Sequence, residues 1–184
     1  MKRILFGFCI VLVIISSCAN TTDKEGVKKE KIQENKYSKL RTLVFSVQPE
    51  QLKLNLSKDS TIVYGVIMDW PLDTTIVTLV SFITGDASIY INSGQMMIGG
   101  YAHESITSAA KDFIKTSQAL FNDSLALSNK LPSASDSTKF HLLTNKGIFE
   151  ITEATNKLQL NNSVLGDLFN KGQIIIAEYR KIVK

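Results

Sequence analysis

The sequence predicts an α+β domain: one antiparallel five-stranded sheet with helices packed on a face. Three observations carry that expectation. Five short runs rich in Ile, Val, Tyr and Phe fall between residues 61 and 153, bounded by Gly, Asn, Asp or Pro. They form two groups, a three-strand meander and a hairpin, with a stretch of helical apolar spacing between them. A second helical stretch closes the chain. Strands that follow strands through tight reversals describe an antiparallel sheet, since parallel strands would alternate with helices.

Leu40 to Leu56 is ambiguous. Leu40, Leu43, Val44 and Val47 have helical spacing, Leu52, Leu54 and Leu56 alternate as in a strand, and Gln48-Pro49 breaks the two apart. Thr61 to Asp69 is a strand, and Trp70-Pro71-Leu72-Asp73 is expected to turn. Thr75 to Thr84 is apolar on both faces and is placed in the middle of the sheet. Gly85-Asp86 permits a tight reversal into Ala87–Asn92, whose Ala87, Ile89 and Ile91 share one side. Ser93–Gly100 is a loop with three glycines. A helix is expected over His103–Asp123, with Ile106, Ala110, Phe113 and Leu120 as its core stripe and Glu104 at the positive end of its dipole. Leu125–Ser137 is a polar loop. Lys139–Thr144 and Ile148–Glu153 form the hairpin around Asn145-Lys146-Gly147. Ser163 is the N-cap of the last helix, whose stripe is Val164, Leu168, Ile175, Tyr179 and Ile182. Profilin-like and longin-like domains share this element order, an analogy of fold that brings no function with it.

The amino terminus has a different character. Met1-Lys2-Arg3 precedes 12 nearly unbroken apolar residues, Ile4 to Ile15. A bilayer core needs about 20 helical residues to cross it, so this run is too short to span and has the length of a secretory signal. It ends in Ile15-Ser16-Ser17-Cys18, an aliphatic residue, two small ones and a thiol. The segment resembles the bacterial lipoprotein signal at all four positions of its box. That resemblance implies a diacylglycerol on Cys18, cleavage before it, and a further fatty chain such as palmitate on the new amino group. It implies a protein of the cell envelope whose partner is the membrane. Ala19 in place of Asp implies the outer membrane where a cell has two.

Residues 1–17 are therefore expected to be a signal peptide, 18–37 a lipid-anchored polar tether, and 38–184 a single α+β domain. The tether is polar, mixed in charge and nearly free of large apolar side chains, so it cannot bury enough surface to offset its ordering entropy. Loss of residues 1–17 removes Lys2 and Arg3 and no acid, which lowers the formal net charge from +4 to +2. There is no basic stripe interleaved with aromatics, so nucleic acid is not expected as a partner. Cys9 leaves with the signal and Cys18 carries lipid, so the mature domain has no thiol for a disulfide or for thiolate chemistry.

Three further stretches stand together: Val80 to Gly94, Ile98 to Ile106 with Ala109, Ala110 and Phe113, and Phe140 to Phe149 with Leu168, Phe169, Gly172 and Gln173. Over roughly Val63 to Lys181 the chain resembles a bacterial family of uncharacterised proteins with a strand, Gly-rich loop and helix at its centre. Gln95, Met96 and Met97 stand where its members often carry glycine. The resemblance implies a single domain and no chemistry.

The sharpest local feature is the Gly94–Tyr101 loop between a strand and a helix start. Free N–H groups at a helix N-terminus attract anions, and Ser93, Gly94, Gly99 and Gly100 could approach a phosphate or carboxylate closely. No Lys-Ser/Thr follows the glycines and no βαβ unit precedes them, which excludes a P-loop and a dinucleotide fold. Met96, Met97 and Tyr101 make the loop apolar enough to be a contact patch for a protein partner. His103 and His141 are the only imidazoles, and neither has the spacing of a zinc site, so no metal and no cofactor are expected. His141 reads as an exposed strand residue. Two function classes stay open. One is a non-catalytic binding or interaction module that uses Ser93, Gly94, Met96, Met97, Gly99, Gly100, Tyr101 and His103. The other is a small hydrolase-like enzyme at the same loop, with Ser93 or His103 acting beside Asp86 and Ser105. A dimer made by pairing a free sheet edge is a third, structural possibility.

Overall fold

The computed structural model describes residues 36–133, 136–160 and 163–182. The signal, Cys18 and nearly all of the expected tether lie outside the described residues. One antiparallel sheet organises the chain. Its strands are β1 (Val63–Leu72), β2 (Thr75–Phe82), β3 (Ala87–Ile91), β4 (Met96–Met97), β5 (Ala126–Leu127), β6 (Ser137–Thr144) and β7 (Gly147–Ala154), in the spatial order β4-β3-β2-β1-β6-β7-β5. The five expected strands are all present, and the expected count of five becomes seven. The additions, β4 and β5, are two residues long and sit at the two edges. A pair of residues has no period to detect, so both were read as loop.

The helices are α1 (36–45), α2 (Glu104–Leu120), α3 (Thr155–Gln159) and α4 (Gly166–Ile182). They cover both faces of the sheet. Side chains alternate across each strand, so Val66, Met68, Leu79, Ile89, Phe140 and Leu142 point to one face. There they bury against Ile106, Ala110 and Phe113 of α2 and Leu168, Ile175 and Tyr179 of α4. Ile67, Val80, Phe82, Tyr90 and Leu143 point to the other and bury against Tyr37, Val44 and Phe45 of α1. The ambiguous preface is thus the cover of the second face. After α1 a 3-10 turn, Pro49–Leu52, begins at the expected break. Leu52, Leu54 and Leu56 pack on the same core without forming a strand.

Several expected boundaries move. β1 continues through Trp70-Pro71-Leu72, and the turn is Asp73-Thr74, with Asp73 at φ 54°. Pro71 is tolerated because β6 pairs with β1 only as far as Asp69, so Pro71 has a neighbour on one side only. In α4 the stripe is Leu168, Ile175 and Tyr179, while Val164 and Ile182 are exposed. Val164 precedes the helix, where the 3.6-residue period does not apply. Ser163 is not the N-cap of α4, which begins at Gly166; its Oγ accepts from the Leu165 N–H at 3.1 Å within the turn before the helix. The folded region also begins before residue 38, since Tyr37 is buried on the sheet.

Candidate functional site

The second face of the sheet carries a sealed polar cluster. Asp69 on β1 pairs in register with Thr78 on β2, and His141 on β6 lies beside Ile67 of β1. The alternation that buries Ile67 and Val80 under α1 puts all three polar side chains there too. Asp69, Thr78 and His141 have no solvent exposure. A buried charge is costly unless it is paired and hydrogen-bonded. Here every oxygen of Asp69 is used. Thr78 Oγ1 donates to Oδ1 at 2.6 Å, and Arg41 Nη2 donates to Oδ2 in a buried ion pair. His141 Nε2 lies 3.3 Å from Oδ2. Since the Thr78 proton goes to Asp69, Tyr37 is the donor in its 2.7 Å bond to Thr78.

Arg41 is the hub that ties α1 to the sheet. Its Nη1 donates to the Lys130 carbonyl, which pins the loop after β5 to the same helix. Its guanidinium lies 4.7 Å from the centroid of Phe45, whose ring meets His141 edge to face at 4.9 Å. Tyr37, Arg41 and Phe45 are spaced four apart, so one face of α1 supplies all three.

Burial alone would raise the Asp69 carboxyl; hydrogen bonds from His141 and Arg41, with the Arg41 charge, outweigh it and hold the group below its ordinary value. Burial pushes the His141 imidazole down, and the Asp69 carboxylate only partly offsets this. His141 is therefore neutral at pH 7; its Nε2 faces Asp69 Oδ2 at 3.3 Å and Arg41 Nη2 at 3.2 Å, and its Nδ1 shares a hydrogen bond of 2.7 Å with Ser128 Oγ. The cluster holds one cation, one anion and a neutral ring. Both shifts have the same consequence in acid. The unfolded chain protonates His141 near its ordinary 6.5 while the folded imidazole resists, and the unfolded carboxylate takes its proton before the folded Asp69 does. Stability is full above about pH 6.5 and is lost stepwise below it. A melting series by circular dichroism is expected to fall from pH 7 to pH 5 and again below pH 4, and His141→Asn should remove the first fall. A flat profile between pH 7 and pH 5 would contradict a buried neutral imidazole.

Ser128, His141 and Asp69 are connected in series, as in a nucleophile, base and orienter. The geometry does not open to a substrate. The ring has no exposure, Arg41 neutralises the carboxylate, and Ser128 Oγ already accepts from the Lys130 N–H at 3.0 Å. The connected groups clamp α1 and the loop after β5.

Above this cluster a cleft of about 1100 Å³ runs along the flank of α1. One wall is helical, with Ser38, Thr42 and Ser46 in one row and Tyr37, Arg41 and Phe45 in the next. Thr74, Thr75 and Ile76 at the start of β2, with Asn92 and Ser93 after β3, form the opposite wall. Lys130, Leu131 and Pro132 close a third side. Asn92 is fixed there because its Oδ1 accepts from the Ile76 N–H at 3.0 Å.

Of the residues singled out in the sequence, Ser93 lies in this cleft. The others are spread out. Gly94 and Gly99 have φ of 100° and 90°, backbone that favours glycine. Gly100 is buried, and a Cβ there would stand 2.6 Å from the Tyr179 hydroxyl. Met96 and Met97 form β4 and turn to opposite faces, Met96 to the α1 core and Met97 to the α2 and α4 core. They do not make one exposed patch; Ile98 and Tyr101, 62% and 72% exposed, are what the loop presents. His103 is exposed at the start of α2 and makes no side-chain cap hydrogen bond. His141, expected to be exposed, is fully buried because its face of the sheet is covered by α1.

Among the described residues no three His, Cys, Asp or Glu side chains group as a metal site would require, and no helix is long and apolar enough to cross a membrane. No family model, curated protein or solved structure matches the chain.

Proposed function

We propose that this chain is a lipid-anchored binding module of the cell envelope, held by Cys18 to the outer membrane where a cell has two, and that it recognises its ligand in the cleft beside α1. The cleft is the observation that carries the reading. It joins a helix, two strand ends and a loop on a frame that the Arg41–Asp69 pair holds rigid. Its polar walls carry no nucleophile set beside an accessible base, which favours binding over hydrolysis. Ser93, immediately before the Gly94–Tyr101 loop, lines the cleft, and the loop itself offers Ile98 and Tyr101 as a separate exposed surface for a protein partner. The profilin-like or longin-like comparison and the likeness to an uncharacterised bacterial family belong to this proposal as well; the two-sided helical cover argues for a three-layer relative of those folds at most.

A photo-crosslinking residue tests the position of the site. Placed at Thr42 in intact cells, it should give a discrete adduct after illumination. The same residue at Lys115, exposed on α2 across the sheet, should give none. Equal adducts at both positions, or none at Thr42, would remove the cleft as the site.

A further inference from the structure

We infer that the cleft beside α1 takes an oligosaccharide, an assignment that rests on the binding reading above and names its ligand class. The lining chemistry carries it. Ser38 and Thr42 on one flank of α1 and Ser46 just after it line the cleft at four-residue intervals. Thr42 and Ser46 donate their hydroxyl protons to the Ser38 and Leu43 carbonyls and offer a ligand acceptor lone pairs, while Thr75, Asn92 and Ser93 line the same space from the strand ends. Hydroxyls and carboxamides both donate and accept, as every sugar hydroxyl does. Phe45, Ile76, Leu131 and Pro132 are interleaved with them. That mixture suits a ring with hydroxyl edges and C–H faces.

Other ligand classes fit the walls less well. Among the described residues no carboxylate lines the cleft, so a cationic ligand finds no counter-charge there. Of its two cations, Arg41 is already paired with Asp69, and Lys130 is exposed to solvent, where a single ion pair contributes little. A phosphate or carboxylate ligand is thus poorly held. An acyl chain would cover the hydroxyls of Ser38, Thr75 and Ser93 without giving them partners. A peptide strand recognised by pairing needs a free sheet edge, and the walls here are side chains of a helix and turns. The volume, about 1100 Å³, slightly exceeds the usual range of about 300–1,000 Å³ for a compact small-molecule site, which favours more than one ring.

Nuclear magnetic resonance of the ¹⁵N-labelled full-length chain in detergent micelles tests this. The probes are cellohexaose, maltohexaose and chitohexaose, with a Gly-Ser hexapeptide and inorganic phosphate as contrasts. At least one sugar should shift the amides of Thr42, Ser46, Thr75 and Ser93 together. Thr42→Val combined with Ser38→Ala should weaken that sugar about tenfold or more, through lost hydrogen bonds, at an unchanged melting temperature. If the peptide or phosphate shifts these amides and no sugar does, the ligand class is wrong and the cleft reading stands. Sugar-induced shifts confined to other surfaces would overturn the inference. If no probe moves a cleft amide, the inference and the cleft reading both fall.

Discussion

Replacing Arg41 by Met is expected to destabilise the domain by about 3–5 kcal/mol, because it leaves the Asp69 carboxylate buried without its cation. Methionine keeps much of the packing volume and removes the charge, so the loss reports the pair and not the space. At roughly 2–4 °C per kcal/mol for a domain of this size, melting should fall by about 6–20 °C. The effect should be asymmetric. Arg41→Met combined with Asp69→Leu removes both charges and should recover a large part of the loss, as buried pairs replaced by apolar side chains commonly do. Lys139→Met, which breaks the 3.6 Å pair with Glu150 nearer the surface, should cost under about 1 kcal/mol. Hydrogen exchange would show where the structure opens. Because Arg41 joins α1 both to β1 and to the Lys130 carbonyl, amides of α1 and of the loop after β5 should lose protection before those of β1 and β2. An Arg41→Met variant within about 1 kcal/mol of the parent would mean that the helix is held by Val44 and Phe45 alone.

The sheet was legible because its information is local. Val63–Leu72 and Thr75–Phe82 carry dense β-branched and aromatic runs, and the turns between strands carry Gly or Asn. The cluster was not legible, because its members are far apart in the chain. Arg41 and Asp69 are separated by 28 residues, Asp69 and His141 by 72, and Arg41 and His141 by 100. A weak local signal did exist. Asp69 is the only charge in the ten residues of β1, and His141 stands between Phe140 and Leu142. A lone ionisable group in a strand buried on both faces has to find a partner from another element. Recognising that both faces are covered was the missing step, and it depended on α1. Its Leu40, Val44 and Val47 spacing was visible, but Tyr37 and Lys36 were grouped with the polar residues before them by composition alone. The glycine loop drew attention for the opposite reason. Its glycines are conspicuous in sequence, and in the fold they serve positive φ at Gly94 and Gly99 and close packing at Gly100.

Changing Cys18 to Ser should release the protein from the membrane while leaving the fold untouched. The basic head, the apolar run Ile4–Ile15 and the Ile15-Ser16-Ser17-Cys18 box together support the proposal of lipid on that thiol. Each buried CH₂ contributes about 0.8 kcal/mol, and two acyl chains are enough for stable attachment. No helix among the described residues is long and apolar enough to cross a bilayer. The parent should take up labelled palmitate, sediment with membranes in high salt and dissolve only in detergent. Cys18→Ser should take up no label and leave the lipid-dependent fraction. Its melting temperature should match that of the parent, because the contacts that fix α1 begin at Tyr37, beyond the substituted position. Arg41→Met reverses the pattern, with lost stability and intact labelling, so anchor and fold can be read independently. Mass spectrometry of the membrane-extracted parent that found Met1 in place and no acyl mass would remove the anchor, and with it the envelope address.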